Sequence, residues 1–257
     1  MGGHGLARVA LAQGHRVRGL SRNSHKLDPD IASKVDKFVT EIILILNLWQ
    51  RQSRVSMLSF LPWTKLDMGD HETYDAYLSF KRLAELSSAL KPIYELVGAI
   101  LKYGFNNCKR DSRSALINIA SQSLVYFGTG NEQLSFISVN DLSKFTLAAI
   151  SDPLILQRGM YYTKSFRCTM SELADMYGKA RGTEITTQRL GGKADLEAML
   201  AGARTMISSW ELNKYIDLVY GVAMSRGVGL ADPSDCERWA GIVIPTGFCQ
   251  WLQENPA

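Results

Sequence analysis

The sequence predicts an α/β fold, with a parallel sheet covered by helices on both faces and a smaller, mixed C-terminal lobe. Three observations carry this. Strand-like and helix-like segments alternate from the N-terminus to about residue 100, the order that winds a parallel sheet between two helical layers. The run "VSMLSFLPW" (55–63) is almost continuously apolar, as a strand buried on both faces should be. After about residue 110 the alternation stops, and strands and helices follow in mixed order.

The elements follow from local chemistry. In "MGGHGLARVALAQGHRVRGLSRN" (1–23) a glycine turn precedes "LARVALAQ" (6–13), whose small and apolar residues recur at helical spacing until Gly14 caps them. "HRVRGLS" (15–21) is a short strand, so the order reads as a βαβ unit lacking its first strand. "DKFVT" (36–40) is another short strand. "IILILNLW" (42–49) is a buried strand, a buried helix or one passing into the other, and periodicity does not decide among them. "DHETYDAYLSFKRLAELSSAL" (70–90) forms a long helix with capping chemistry from Asp70 and Thr73 and an apolar face of Leu78, Leu83 and Leu86. The strand "KPIYELVGAI" (91–100) closes the alternating part.

The second half opens with two strands around Gly130-Asn131 and a helix begun by Asn140 or Asp141. A helix over 169–182 is capped by Thr169 or Ser171 and ended by Gly182. "EITTQRLG" (184–191) is a strand, and 193–206 and 209–227 are helices. Residues 1–110 thus form the dinucleotide-binding type of half, and 111–257 a C-terminal part of the same domain, built onto the sheet as a substrate lobe.

Composition narrows the function. With 46% hydrophobic and 21% charged residues and a net charge of +4, the 257-residue chain is an ordinary globular protein. Its longest basic cluster, Lys109-Arg110 with Arg113, is too short to bind nucleic acid, while a mild basic excess suits a small anionic ligand. The four cysteines have no metal-ligand spacing and read as reduced structural thiols. The longest apolar run falls far short of the ~20 residues that cross a bilayer, and no apolar signal core opens the chain. The expected location is cytoplasmic, with no membrane partner.

Several stretches together resemble one family. "GHRVRGLSRNSHKL" (14–27) is similar to the second strand and basic turn of NmrA-like proteins, and 69–94 to their central helix and following strand. "FISVNDLSKFTLAAISDP" (136–153) resembles the strand and helix that open their C-terminal part. The stretch 227–255 resembles their tail, where a Pro-Thr before an aromatic caps the last helix. The chain is identified as resembling the NmrA-like and isoflavone-reductase-like family, an atypical branch of the short-chain dehydrogenases, in its fungal form and shortened at the N-terminus. The resemblance implies a Rossmann-like fold, NADP(H) as cofactor and reduction of a small aromatic or polyketide-like substrate, in some members within secondary metabolism. Other members bind the dinucleotide as sensors or regulators without turning it over. A cofactor-free isomerase or dehydratase is a third reading.

Candidate site residues fall into two groups. Gly2, Gly3 and Gly5 could form the turn that lets a backbone approach a pyrophosphate at a helix N-terminus, although Arg8 stands where a third, small residue belongs. Arg22, at the end of the second strand, and Lys26 could hold the ribose 2′-phosphate of NADP(H); a solvated basic loop is the alternative. For catalysis, Tyr77 and Lys81 stand four apart and so share a helix face. A lysine ammonium lowers the phenol's pKa, and the phenol passes a proton to the substrate oxygen. Isoflavone-reductase relatives instead use a lysine near the position of Ser79 here, so Tyr77 as a packing residue and Lys81 as a solvated one stay open. His71 and Tyr74 begin the same helix near the pocket mouth, Thr64 is the hydroxyl nearest the preceding strand's end, and Asp141 reads as a helix cap.

Overall fold

The opening glycines do not stand apart as a turn: α1 runs from Gly2 to Ala12, with Gly2, Gly3 and Gly5 in its first turns. The good helix formers from Leu6 onward propagate the helix backward, although each glycine costs it about 1 kcal/mol relative to alanine. Gly14 ends it as expected, in the left-handed region at φ 80°, and the His15 N–H donates to the Ala10 carbonyl at 3.0 Å. The computed structural model describes residues 2–20, 28–35, 37–39, 55–60, 69, 72–86, 91–105, 117–118, 122–228, 230 and 233–255. "IILILNLW" lies outside them.

The alternating half forms parallel pairs, as expected. Strand β1 (Arg18–Leu20) is followed by the short helix α2 (Pro29–Ala32) and by β2 (Lys37–Val39), and β1 and β2 pair in parallel. Strand β3 (Val55–Phe60) leads to α3 (Glu72–Glu85) and β4 (Lys91–Val97), and β3 runs parallel to β4 from Val55↔Lys91 to Phe60↔Leu96. The expected cap Asp70 lies outside the described residues. Ahead of α3 the Gly69 N–H donates to Asp75 Oδ1 at 2.9 Å. The apolar face of α3 differs from expectation: Leu83 and Leu86 are exposed, while Tyr74 and Leu78, one turn apart, pack inward.

The stretch 91–100 is not one strand. It breaks at Gly98, and β5 (Ala99–Ile100) joins a different sheet before α4 (Leu101–Phe105). A side chain cannot fit at this hand-over, because a Cβ on Gly98 would lie 2.2 Å from the Ser135 carbonyl oxygen. Strands β6 (Ile117–Asn118), β7 (Ser123–Phe127) and β8 (Leu134–Ile137) follow. The two strands expected around Gly130-Asn131 are β7 and β8, but they do not pair with each other. Strand β8 runs parallel to β5, whereas β7 pairs antiparallel with β6.

Next come α5 (Val139–Ser151), the short α6 (Ile155–Arg158), β9 (Met160–Thr163), β10 (Phe166–Cys168), α7 (Met170–Arg181) and β11 (Thr186–Gly191). Strand β9 returns to the first half and runs parallel to β4, β10 pairs antiparallel with β8, and β11 pairs in parallel with β7. Helix α7 has a complete capping box, in which Thr169 and Glu172 satisfy each other's backbone N–H groups, and it ends at left-handed Gly182. The chain closes with α8 (Lys193–Met206), a 3-10 helix (Ser209–Lys214), α9 (Ile216–Ser225), α10 (Pro233–Arg238) and α11 (Phe248–Glu254). The single helix expected over 209–227 is thus two pieces, parted at Tyr215, whose backbone leaves the helical region.

Aromatic residues fill the core. Phe105, Tyr177, Phe248 and Trp251 join α4, α7 and α11, with the Phe105 and Phe248 ring centroids 5.0 Å apart. Tyr161 of β9 meets Trp239 edge-on at 5.2 Å, under Phe145 of α5. Cys168 is buried, Cys236 half-buried and Cys249 exposed, and all three are free thiols. Among the described residues no group of histidine, cysteine or acidic side chains could hold a metal ion, and no helix is long and apolar enough to cross a membrane.

Candidate functional site

Helix α3 carries both candidate catalytic residues. Tyr74 and Leu78 seat it on Tyr94 and Leu96 of β4 and on Ala223 and Tyr220 of α9, and the Tyr74 and Tyr220 rings meet edge-on at 6.5 Å. Tyr77 and Lys81, four positions apart on this helix, share a face by its geometry. The Tyr77 side chain lies outside the described residues. Lys81 is half-buried, with its ammonium 3.1 Å from Glu85 Oε1 one turn further on.

A long-range ion pair fixes the start of α3. Arg204, near the end of α8, reaches Glu72 with Nε at 2.9 Å and Nη2 at 3.0 Å, and the Tyr215 hydroxyl donates to the same carboxylate at 3.3 Å. Partial burial raises the Glu72 pKa, but the bonds and charge of Arg204 outweigh it and hold the carboxyl below its ordinary 4.5. Under the helix, burial first and the nearby Glu85 second push the Tyr94 phenol up to about 12. Nothing local in the sequence marks Glu72 or Arg204, because their partnership spans 132 positions.

The cofactor candidates are less fully placed. Gly2 and Gly3 put side-chain-free backbone at the N-terminus of α1, where the first N–H groups of a helix have no intrahelical acceptor, whereas Gly5 lies one position too far along to offer a free N–H. Arg8, at the third glycine position, points to Asp28 at the start of α2 and pairs with it. Arg22, Lys26, Thr64 and His71 lie outside the described residues.

Asp141 is not the cap of its helix. Ser138 caps α5 by accepting the Asp141 N–H at 3.0 Å. The Asp141 carboxylate is fully buried and accepts from Ser165 Oγ at 2.5 Å, from the Thr246 N–H at 2.7 Å and from Thr246 Oγ1 at 2.9 Å. The expected Pro-Thr cap of the last helix is corrected by the same contacts: Thr246 donates back to Asp141, and Gly247 starts α11 without a side-chain cap. A second buried acid, Glu95 on β4, accepts from Thr146 Oγ1 at 2.6 Å and from Thr163 Oγ1 at 3.0 Å, bracing β4 against α5 and β9. Glu95 thus braces the strand on which α3 sits, while Asp141 ties α5 to the segment between β9 and β10 and to the tail before α11.

No protein-family model matches the chain, and no curated protein matches it in sequence. Solved structures do match. An isoflavone reductase crystal structure superposes with a TM-score of 0.70 at 14% identity, covering 98% of this chain and 95% of that one. A nucleoside-diphosphate-sugar epimerase from Staphylococcus aureus gives 0.67 at 16% identity, covering 98% and 96%. Leucoanthocyanidin reductase from Vitis vinifera, solved as its binary complex with NADPH, gives 0.61 at 16% identity, covering 86% and 84%. Likeness at this level of identity is likeness of fold. Over nearly its whole length the chain has the Rossmann-like α/β fold of the isoflavone reductase structure.

Proposed function

We propose that the chain is an NADP(H)-dependent reductase acting on a small aromatic or polyketide-like substrate. The observation that carries this reading is the fold match to isoflavone reductase over 98% of the chain. Two further similar structures, of leucoanthocyanidin reductase and of AtPrR2, were solved with NADPH and with NADP⁺ and pinoresinol respectively. The residues present fit such a cofactor at one end, since α1 opens with Gly2 and Gly3, whose N–H groups can face an anion with no side chain of their own in the way. Arg22 and Lys26 would hold the 2′-phosphate, because a guanidinium pairs with a phosphate where a carboxylate would repel it. When bound, the nicotinamide supplies hydride to the substrate carbon. Tyr77 donates its phenolic proton to the substrate oxygen, and Lys81 on the same face of α3 favours the phenolate that remains.

The Lys81–Glu85 ion pair favours a second reading, a dinucleotide-binding sensor or regulator, because a carboxylate at 3.1 Å offsets the charge that Lys81 would lend to Tyr77. Titration with NADPH and NADP⁺ followed by intrinsic fluorescence tests both. Saturable binding with NADPH consumption on an aromatic carbonyl or enone supports the reductase. Binding without consumption supports the sensor, and no binding at millimolar cofactor overturns both.

A further inference from the structure

Away from α3, a groove of about 780 Å³ opens between the C-terminal halves of α1 and α5 and the segment that follows α10. Among the described residues, Lys81 does not line it. Its wall is apolar, formed by Ala12, Leu147, Trp239 and Ile242 among others, and three cations edge it: Arg8, Lys144 and Arg238. Volume and lining are those of a site for a small molecule, in which an apolar body is buried and a few polar groups orient it.

The cations differ in what they already hold. Arg8 pairs with Asp28, and Arg238 pairs with Asp152. Lys144 stands 3.6 Å from Asp141 Oδ1, within charge contact and beyond hydrogen-bond range. Asp141 already takes three hydrogen bonds, from Ser165 and from the backbone and hydroxyl of Thr246. The Lys144 ammonium therefore brings hydrogen-bond donors to the groove that its carboxylate neighbour does not use. Each of the three cations thus faces a carboxylate, and of the three only Lys144 does so without a hydrogen bond to it.

We propose that this groove binds a small amphiphilic carboxylate. Its apolar body lies on Leu147, Trp239 and Ile242, and its carboxylate meets Lys144. The site is independent of the nicotinamide reading, and its test uses no nicotinamide cofactor.

The experiment is isothermal titration calorimetry of the full chain with octanoate and with octanol, which share an apolar body and differ in charge. Octanoate should bind saturably at one site and about tenfold more tightly than octanol, as one charge-assisted hydrogen bond provides. Lys144→Met should remove that advantage and leave octanol unchanged. Ala12→Trp, on an exposed position of the groove wall, should remove both. Octanoate binding no tighter than octanol, no saturable heat, or an unchanged octanoate affinity in Lys144→Met each overturns the proposal. Should Lys144→Met fail to fold, added salt applied to the wild type decides: weakening of octanoate but not of octanol supports the site, and equal behaviour overturns it.

Discussion

Glu72 and Arg204 meet in a two-pronged ion pair, at 2.9 and 3.0 Å, that fastens the first turn of α3 to the end of α8. Tyr215 and the Gly69 carbonyl complete the joint, so the helix bearing Tyr77 and Lys81 is held from the C-terminal part of the chain.

Arg204→Ala should lower stability by ~1 kcal/mol, the scale of a two-pronged pair that is still partly solvated. Urea unfolding measures it. The Glu72 carboxyl is held below its ordinary 4.5, so its contribution is fully present above that value and is lost as pH falls through the depressed one. The stability gap between wild type and Glu72→Gln should be widest near neutrality and close in acid. A gap that grows as pH falls would contradict the pairing.

Asp141→Asn should cost about 2–4 kcal/mol in the same measurement. An amide would turn an NH₂ toward at least one of the three donors that now converge on the carboxylate, leaving buried groups unpaired. The loss should appear with the tail segment before α11 becoming open to proteolysis, since Thr246 is its anchor.

Tyr94 has its phenol pushed up to about 12, so the folded state holds this proton more tightly than the unfolded chain does. That stabilisation is full below the ordinary value of 10.0 and fades as pH rises through the raised one. Alkaline unfolding followed by circular dichroism should be less steep in Tyr94→Phe than in wild type. An identical alkaline limb would count against the assignment.

Tyr77→Phe should lower kcat of the proposed reductase by about 10²–10⁴-fold while leaving the Kd for NADPH within twofold, as loss of a general acid does. A stopped-flow assay with the cofactor saturating separates the two effects. Unchanged turnover would show that Tyr77 only packs.

In the proposed cofactor site Arg22→Glu should weaken NADPH far more than NADH, because only NADPH carries the 2′-phosphate that Arg22 would pair with. Equal losses in fluorescence titration would remove Arg22 from the site.

Legibility in the sequence followed the range of the interaction. Helix α8 spans 193–206 as its periodicity indicated, and α7 starts at Thr169 and stops at Gly182, because caps and amphipathic spacing act within a few residues. Partnerships between distant segments were not legible. The two strands around Gly130-Asn131 were legible as strands, but their partners, which lie elsewhere in the chain, were not. For Asp141 a local signal exists, since Ser138-x-x-Asp141 matches the spacing of a capping box with the serine as cap, whereas its bond to Thr246 spans 105 positions. At the candidate site the Tyr77–Lys81 spacing is visible within five residues, whereas Glu72–Arg204 needs the fold. Arg8 departs from the glycine pattern in the sequence, and its pairing with Asp28 accounts for where it points.

The pairing of β4 with β9 sets an order of events during synthesis. Tyr94 through Val97 find their second neighbour only when Met160 through Thr163 have been made, and the ribosome tunnel delays the meeting further. Until then β4 leaves the ribosome with one flank bare, a surface to which another nascent chain could add. The first half of this protein therefore cannot finish folding as it emerges. Its yield in a cell should depend on chaperones that shield that flank until the later strand arrives.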